Sequence, residues 1–333
     1  MGGDAQGEQP EEHAQPEARF LVSKEHQQIY QRGLDHLEAL VRAHQGEPDA
    51  LRSLLSSLID TFRSDPNSML RLAFLASDKG FLMPHSLNVC LLALNLSIGL
   101  GYSESEMEEL GLASLLHDMG MFTLPPGLIY SPDHISNEGR ELLRQHPDEG
   151  WRRAQDLLDL NRDIAQAIYQ EHEREDGSGY PEGVTSRAIH EFAKILGTVD
   201  VFEALTHTRP YRGRLSPYVA MREVISQGSQ GVLDRGAVKA FVSRTSVFPI
   251  GSFVQLNTGE IAQVVGTQPG HPLSPIVEIV VSREGKKLRF RRSIDLSQEP
   301  IMAITKVLNP LNIEPLRDME GVLVPDYPVV AGE

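Results

Sequence analysis

The chain has 333 residues, 40% hydrophobic and 23% charged, enough for one main buried core of about 150–200 residues with smaller appendages. A formal net charge of -15 argues against sequence-independent binding to DNA, which depends on many Lys and Arg releasing counterions from phosphates. The lone cysteine, Cys90, excludes an intrachain disulfide and a thiolate metal cage, and fits a reducing cytoplasm.

Residues 1–18 are rich in Gly, Pro, Gln and Glu and read as a disordered tail. Over 19–68, Leu34, Leu37, Leu40 and Val41, then Leu51, Leu54, Leu55 and Leu58, recur every three or four residues. This spacing predicts amphipathic helices that bury one stripe. The pattern stays helical through 69–243. Ser103 with Glu106 forms a capping box, Gly120 closes the run that follows, and Ser136 opens another. The apolar stretch Leu87 to Leu100 is short for a bilayer span and carries Asn88, Asn95 and Ser97, so no membrane anchor is expected. Over 244–307 the composition turns to Val, Ile and Phe around Asn257-Thr258-Gly259 and Arg283-Glu284-Gly285, which predicts two short hairpins. Residues 308–333 carry four prolines and read as an extended tail. The fold class is therefore mainly α, a helical bundle with N-terminal helices and a small C-terminal β appendage.

Within the helical region, His85, His117-Asp118, His146, Glu171-His172 and Asp200 lie in or beside predicted helices. Separate helices can converge such side chains in a bundle interior, as helical metalloproteins do. Imidazole with carboxylate suits Fe, Mn, Zn, Ni or Co, and Asp118, adjacent to an imidazole, is the natural bridge between two ions. Taken singly each histidine is weak evidence, and His13, His26, His36, His44, His134, His190, His207 and His271 carry no such reading.

The strings HSLNV at 85–89, LLHDMG at 115–120, QHPDEG at 145–150, HEREDGSGYP at 172–181, AKILGTVDVFEALT at 193–206 and RPYR at 209–212 resemble the HD-GYP family. That family is a branch of the HD phosphohydrolases. The resemblance covers about residues 80–243 and implies an HD-type bundle and a phosphodiesterase that opens cyclic di-GMP to a linear dinucleotide through a hydroxide activated by two metals. It implies that His85, His117, Asp118, His146, His172 and Asp200 are metal ligands, with Glu171 beside them and Asp118 and His117 as the catalytic pair. It makes Gly179, Tyr180 and Pro181 a wall of the substrate pocket, and Arg209 and Arg212 its phosphate contacts. Fe or Mn are the expected ions.

Four positions depart from the family pattern. Glu171 stands where an imidazole is usual, and Met121 replaces a common Lys. Phe81 cannot ligate a third metal, and Glu203 replaces an Asp, which leaves a supporting role for it in doubt. A non-enzymatic alternative is a cyclic-dinucleotide receptor that signals through its flanking segments. A homodimer, or a signalling partner such as a diguanylate cyclase, would be served by those flanks.

Overall fold

The computed structural model describes residues 22–43, 48–74, 82–130, 135–158, 160–207, 214–288 and 291–309. The tail expected over 1–18, all but the first two residues of the segment 308–333, Phe81, Arg209 and Arg212 lie outside the described residues.

Helices α1 (Lys24–Ala43), α2 (Pro48–Ser64) and α3 (Pro66–Ala73) open the fold. The three- and four-residue spacing on α2 buries Leu51, Leu54, Leu55, Leu58, Ile59 and Phe62 on one side. Asp65 starts α3 by accepting the Ser68 N–H, with Pro66 in the first turn, where a missing N–H costs nothing. Helix α4 (Leu82–Leu100) is apolar on every side because α1, α3, α5, α10 and α12 surround it. It is long and apolar enough to cross a membrane, yet 83% of that stretch is buried inside the bundle.

Helix α5 (Glu104–Leu116) begins at the Ser103/Glu106 capping box, with both reciprocal hydrogen bonds formed. It gives way to a 3-10 turn over Met119–Thr123, then α6 (Pro126–Ile129), α7 (Asn137–Leu143, capped by Ser136) and α8 (His146–Leu158). Helices α9 (Arg162–Gln170), α10 (Glu191–Thr206), α11 (Pro217–Gln230) and α12 (Arg235–Thr245) complete the bundle. Leu37, Leu55, Leu91, Leu115, Ile168, Phe202 and Phe241 belong to one continuous core, so the N-terminal helices share it with the rest. Each such side chain contributes about 1.5–3 kcal/mol on burial.

Among the described residues five strands follow: β1 (Phe253–Leu256), β2 (Ile261–Gly266), β3 (Ile276–Val281), β4 (Ser293–Asp295) and β5 (Ile304–Leu308). They form one antiparallel sheet in the order β4-β3-β2-β1-β5. Gly259 and Gly285 take the positive φ that the two expected turns require. Strand β5 adds a fifth member beside β1; its faces are only partly covered, so its sequence lacks the strongly apolar face that marks its neighbours. The sheet is fastened to α3. Arg71 donates its Nε–H to the Val265 carbonyl at 2.8 Å in a buried setting, and Asn67 Oδ1 accepts the Thr267 N–H at 2.7 Å.

One close approach sets the site. A Cβ on Gly120 would lie 2.0 Å from the His146 carbonyl oxygen and 2.6 Å from the Gly150 nitrogen, so backbone packs on backbone where the 3-10 turn meets α8. The glycine of LLHDMG thus draws the His117-Asp118 segment against His146. Gly120→Ala is expected to cost at least the about 1–3 kcal/mol of ordinary overpacking and to lower metal retention with it, checked by thermal unfolding and elemental analysis.

Candidate metal centre

Five elements deliver the candidate ligands. His85 lies in the first turn of α4; His117 and Asp118 directly follow α5; His146 opens α8; Glu171 and His172 directly follow α9; Asp200 sits midway along α10. All seven converge. They fall into two groups whose ligand atoms lie within 4.8 Å of one another, His85 with His117 and Asp118, and His146 with Glu171 and His172. Asp200 joins the first through Oδ1, 3.2 Å from His85 Nε2.

The imidazoles are aimed by their far nitrogens. His117 Nδ1–H donates to the Ser114 carbonyl at 2.7 Å, His146 Nδ1–H donates to the Leu143 carbonyl at 2.6 Å, and His85 Nδ1 meets the Glu203 carboxylate. With Nδ1 carrying the proton, each Nε2 presents a lone pair inward. His85 Nε2 and His117 Nε2 lie 3.2 Å apart, and His146 Nε2 and His172 Nε2 lie 3.1 Å apart. Each separation suits an N–H···N hydrogen bond when one ring carries the extra proton, or two nitrogens turned toward a shared cation.

The carboxylates straddle the groups. Asp118 Oδ2 is 3.4 Å from His85 Nε2 and 3.7 Å from His117 Nε2, while its Oδ1 is 3.4 Å from His146 Nε2. Glu171 behaves alike, with Oε2 3.7 Å from His117 and Oε1 3.4 Å from His146. Glu171 is fully buried and neither of its oxygens has a hydrogen-bond partner. A buried carboxylate is costly unless a cation meets it; in the metal-free protein the protonated His146 at 3.4 Å does so, and a bound metal ion would take over that part. The donor set of imidazole nitrogen and carboxylate oxygen therefore fits divalent metal ions.

In the metal-free protein His146 holds a second proton near neutral pH. Burial alone would depress His146, but Glu171 and Asp118 outweigh it and lift its pKa to about 9. Burial dominates at His172 and lowers it to about 4. Burial works to raise Asp118, yet His117, His85 and His146 hold it below the usual carboxylate range. In the metal-free protein, His146 stabilises the fold below its ordinary value of 6.5, and that contribution is lost as pH rises through about 9. His172 acts oppositely: stability is lost as pH falls from 6.5 through about 4. The unfolding midpoint of chelator-treated protein is accordingly expected to be greatest near pH 6.5 and to decline on either side, as thermal scans across pH 4–9 will read.

The loop over 176–183 packs against His172. Tyr180 stacks on His172 with ring centroids 4.7 Å apart, and its N–H donates to the His172 carbonyl at 3.1 Å. Burial, followed by the charges of Glu171, Asp200 and Asp118, raises the Tyr180 phenol, which stays a donor. A Cβ on Gly179 would fall 2.4 Å from the His172 carbonyl oxygen, which is why glycine precedes Tyr180. Pro181 follows in the same loop.

Sequence reasoning overlooked several supporting residues. Glu173 accepts the N–H groups of Glu182, Gly183 and Val184 at 2.7, 3.1 and 3.0 Å and so holds the loop. Arg144 places its guanidinium 5.4 Å from the Tyr180 ring centroid. Glu203 contacts the candidate ligand His85, and Asn88 contacts Glu203. Spacing held a usable signal: Asn88 is three residues after His85 and Glu203 three after Asp200, so each shares a helix face with a candidate ligand. Met121 is buried in an apolar cluster with Leu82, Leu124 and Ile129, which accounts for the missing Lys by packing.

The family model for the HD domain matches residues 69–236, half of the chain and the span that holds all seven candidate ligands. The chain is an HD-GYP member of the HD domain family. A second family model, a KOW domain associated with HD domain, matches residues 253–316 and takes in the sheet. This HD-GYP protein is 29% identical over 247 residues to cyclic di-GMP phosphodiesterase PA4108 of Pseudomonas aeruginosa, covering 73% of the chain and 59% of that relative. It is 33% identical over 154 residues to 3'3'-cGAMP-specific phosphodiesterase 1 of Vibrio cholerae, covering 46% of the chain and 36% of that relative. The chain thus spans about three fifths or less of these two relatives. Among solved structures, Bd1817, an HDGYP-type protein from Bdellovibrio bacteriovorus, shares the fold with a TM-score of 0.57 at 17% identity, over 68% of this chain and 73% of its own.

Proposed function

We propose that this HD-GYP protein hydrolyses a phosphodiester bond of cyclic di-GMP in the cytoplasm, opening the ring to a linear dinucleotide, with two divalent ions, Fe or Mn, at the site. The observation that carries this reading is the pair of facing imidazoles in each group, 3.2 and 3.1 Å apart, joined across Asp118. Bound in pairs, such ions lower the pKa of water and stabilise charge on a phosphodiester in displacement. His85, His117 and Asp200 would hold one ion and His146 and His172 the other, with Asp118 and Glu171 facing both. Tyr180, stacked on His172, offers its ring edge and hydroxyl to a nucleotide. Arg144 beside it, with Arg209 and Arg212, supplies cations for phosphate oxygens, a task the forked guanidinium suits.

Both relatives above are named for cyclic-dinucleotide phosphodiesterase activity, one on cyclic di-GMP and one on 3'3'-cGAMP. The test incubates Mn-loaded protein with each nucleotide and separates the products by chromatography. Conversion of cyclic di-GMP to a linear dinucleotide is expected. Cleavage of 3'3'-cGAMP alone would overturn the substrate, and tight binding without turnover of either would overturn the enzyme in favour of a receptor.

A further inference from the structure

Helix α1 lies outside the span matched to the HD domain, yet it reaches the centre through an unbroken chain of hydrogen bonds. Tyr30 on α1 donates its hydroxyl to Asn88 Oδ1 at 2.8 Å. Asn88 on α4 donates its Nδ2–H to Glu203 Oε1 at 3.0 Å, and Glu203 on α10 meets His85 Nδ1 through Oε2. Asn88 and Glu203 are both buried.

The direction of every link is forced. A carboxylate only accepts, so Asn88 must turn its amide N–H toward Glu203 and its oxygen toward Tyr30; the phenol must then donate. At the other end Glu203 accepts the His85 Nδ1 proton, which leaves Nε2 bare on the side facing His117 and Asp118. Glu203 Oε1 also lies 3.1 Å from His207 Nδ1, and a carboxylate oxygen has room to accept from both neighbours. Burial and the nearby Glu203 charge raise the Tyr30 phenol, in keeping with a group that stays protonated.

We propose that Tyr30 is a positioning residue for metal binding: acting through Asn88, it fixes the Glu203 carboxylate so that His85 offers Nε2 to a divalent cation. This rests on the metal chemistry proposed above but not on the identity of the nucleotide. The N-terminal helix is then part of the centre's support, and a shift of α1 loosens the ion held by His85.

The test measures Mn2+ affinity by chelator competition in the full chain as wild type, Tyr30→Phe, Glu203→Gln and the double variant. Loss of a group that orients a ligating imidazole weakens metal binding by about 10–100-fold, the range expected for Glu203→Gln. Tyr30→Phe removes one oxygen from a half-buried ring, keeps the apolar packing, and is expected to weaken the ion at His85 about 3–10-fold, since a net hydrogen bond is worth about 1 kcal/mol. Because Tyr30 acts through Glu203, the double variant is expected to match Glu203→Gln within about twofold. Multiplicative losses in the double variant, or wild-type affinity in Tyr30→Phe, would overturn the proposal. Turnover of cyclic di-GMP plays no part in this readout, so a failed substrate assignment and a failed relay give separate signatures.

Discussion

Asp118→Asn is expected to abolish phosphodiester hydrolysis while leaving the helical fold in place. Asp118 is the carboxylate that faces His85 and His117 with one oxygen and His146 with the other. An amide keeps the shape but removes the negative charge and gives one side of the bridge a donor N–H in place of an acceptor. Metal ions at such a site contribute several kcal/mol of charge stabilisation, and a loss of about 4 kcal/mol is about a thousandfold in rate. Turnover is expected to fall by at least about that factor, with fewer than two ions retained per chain. Steady-state kinetics, elemental analysis and circular dichroism on one preparation check the three statements together. Wild-type turnover in the variant would remove Asp118 from the chemistry.

Glu173→Ala is expected to show the opposite split, with metals kept and substrate affinity lost. The Glu173 carboxylate gathers three backbone N–H groups from residues 182–184 and ties the end of the Tyr180 loop to the segment that carries Glu171 and His172. Hydrogen bonds to a charged group are worth about 1.5–3 kcal/mol each. Their joint loss leaves the loop held by the turn over 176–178, the Tyr180 N–H bond to the His172 carbonyl and the stacked rings. KM for cyclic di-GMP is expected to rise at least about tenfold, and limited proteolysis to gain a cut within 176–184, with two metals per chain retained. An unchanged KM would mean that the loop does not contact the nucleotide.

The candidate centre was largely legible in the sequence because its ligands come as adjacent or helix-spaced pairs inside recognisable strings. His117-Asp118 and Glu171-His172 each sit where a helix ends, and the capping signals at Ser103 and Ser136 locate the flanking helices. What stayed hidden is what depends on distant chain meeting chain. Tyr30 and Asn88 are 58 positions apart, and Asn67 and Thr267 are 200 apart; neither pair leaves a periodic trace. The straddling posture of Glu171 was equally invisible. At a position where an imidazole is usual, the sequence says only that a carboxylate is present, and only the structure places its two oxygens toward His117 and His146. Glu203 was read through its length relative to Asp, whereas the structure uses that reach to meet His85.

The most direct test is a crystal of Mn-loaded protein examined by anomalous scattering. Two peaks are expected, one among His85, His117, Asp118 and Asp200 and one among His146, Glu171 and His172, with Asp118 touching both. A single peak, or two peaks with Asp118 turned away from either, would contradict a paired metal centre.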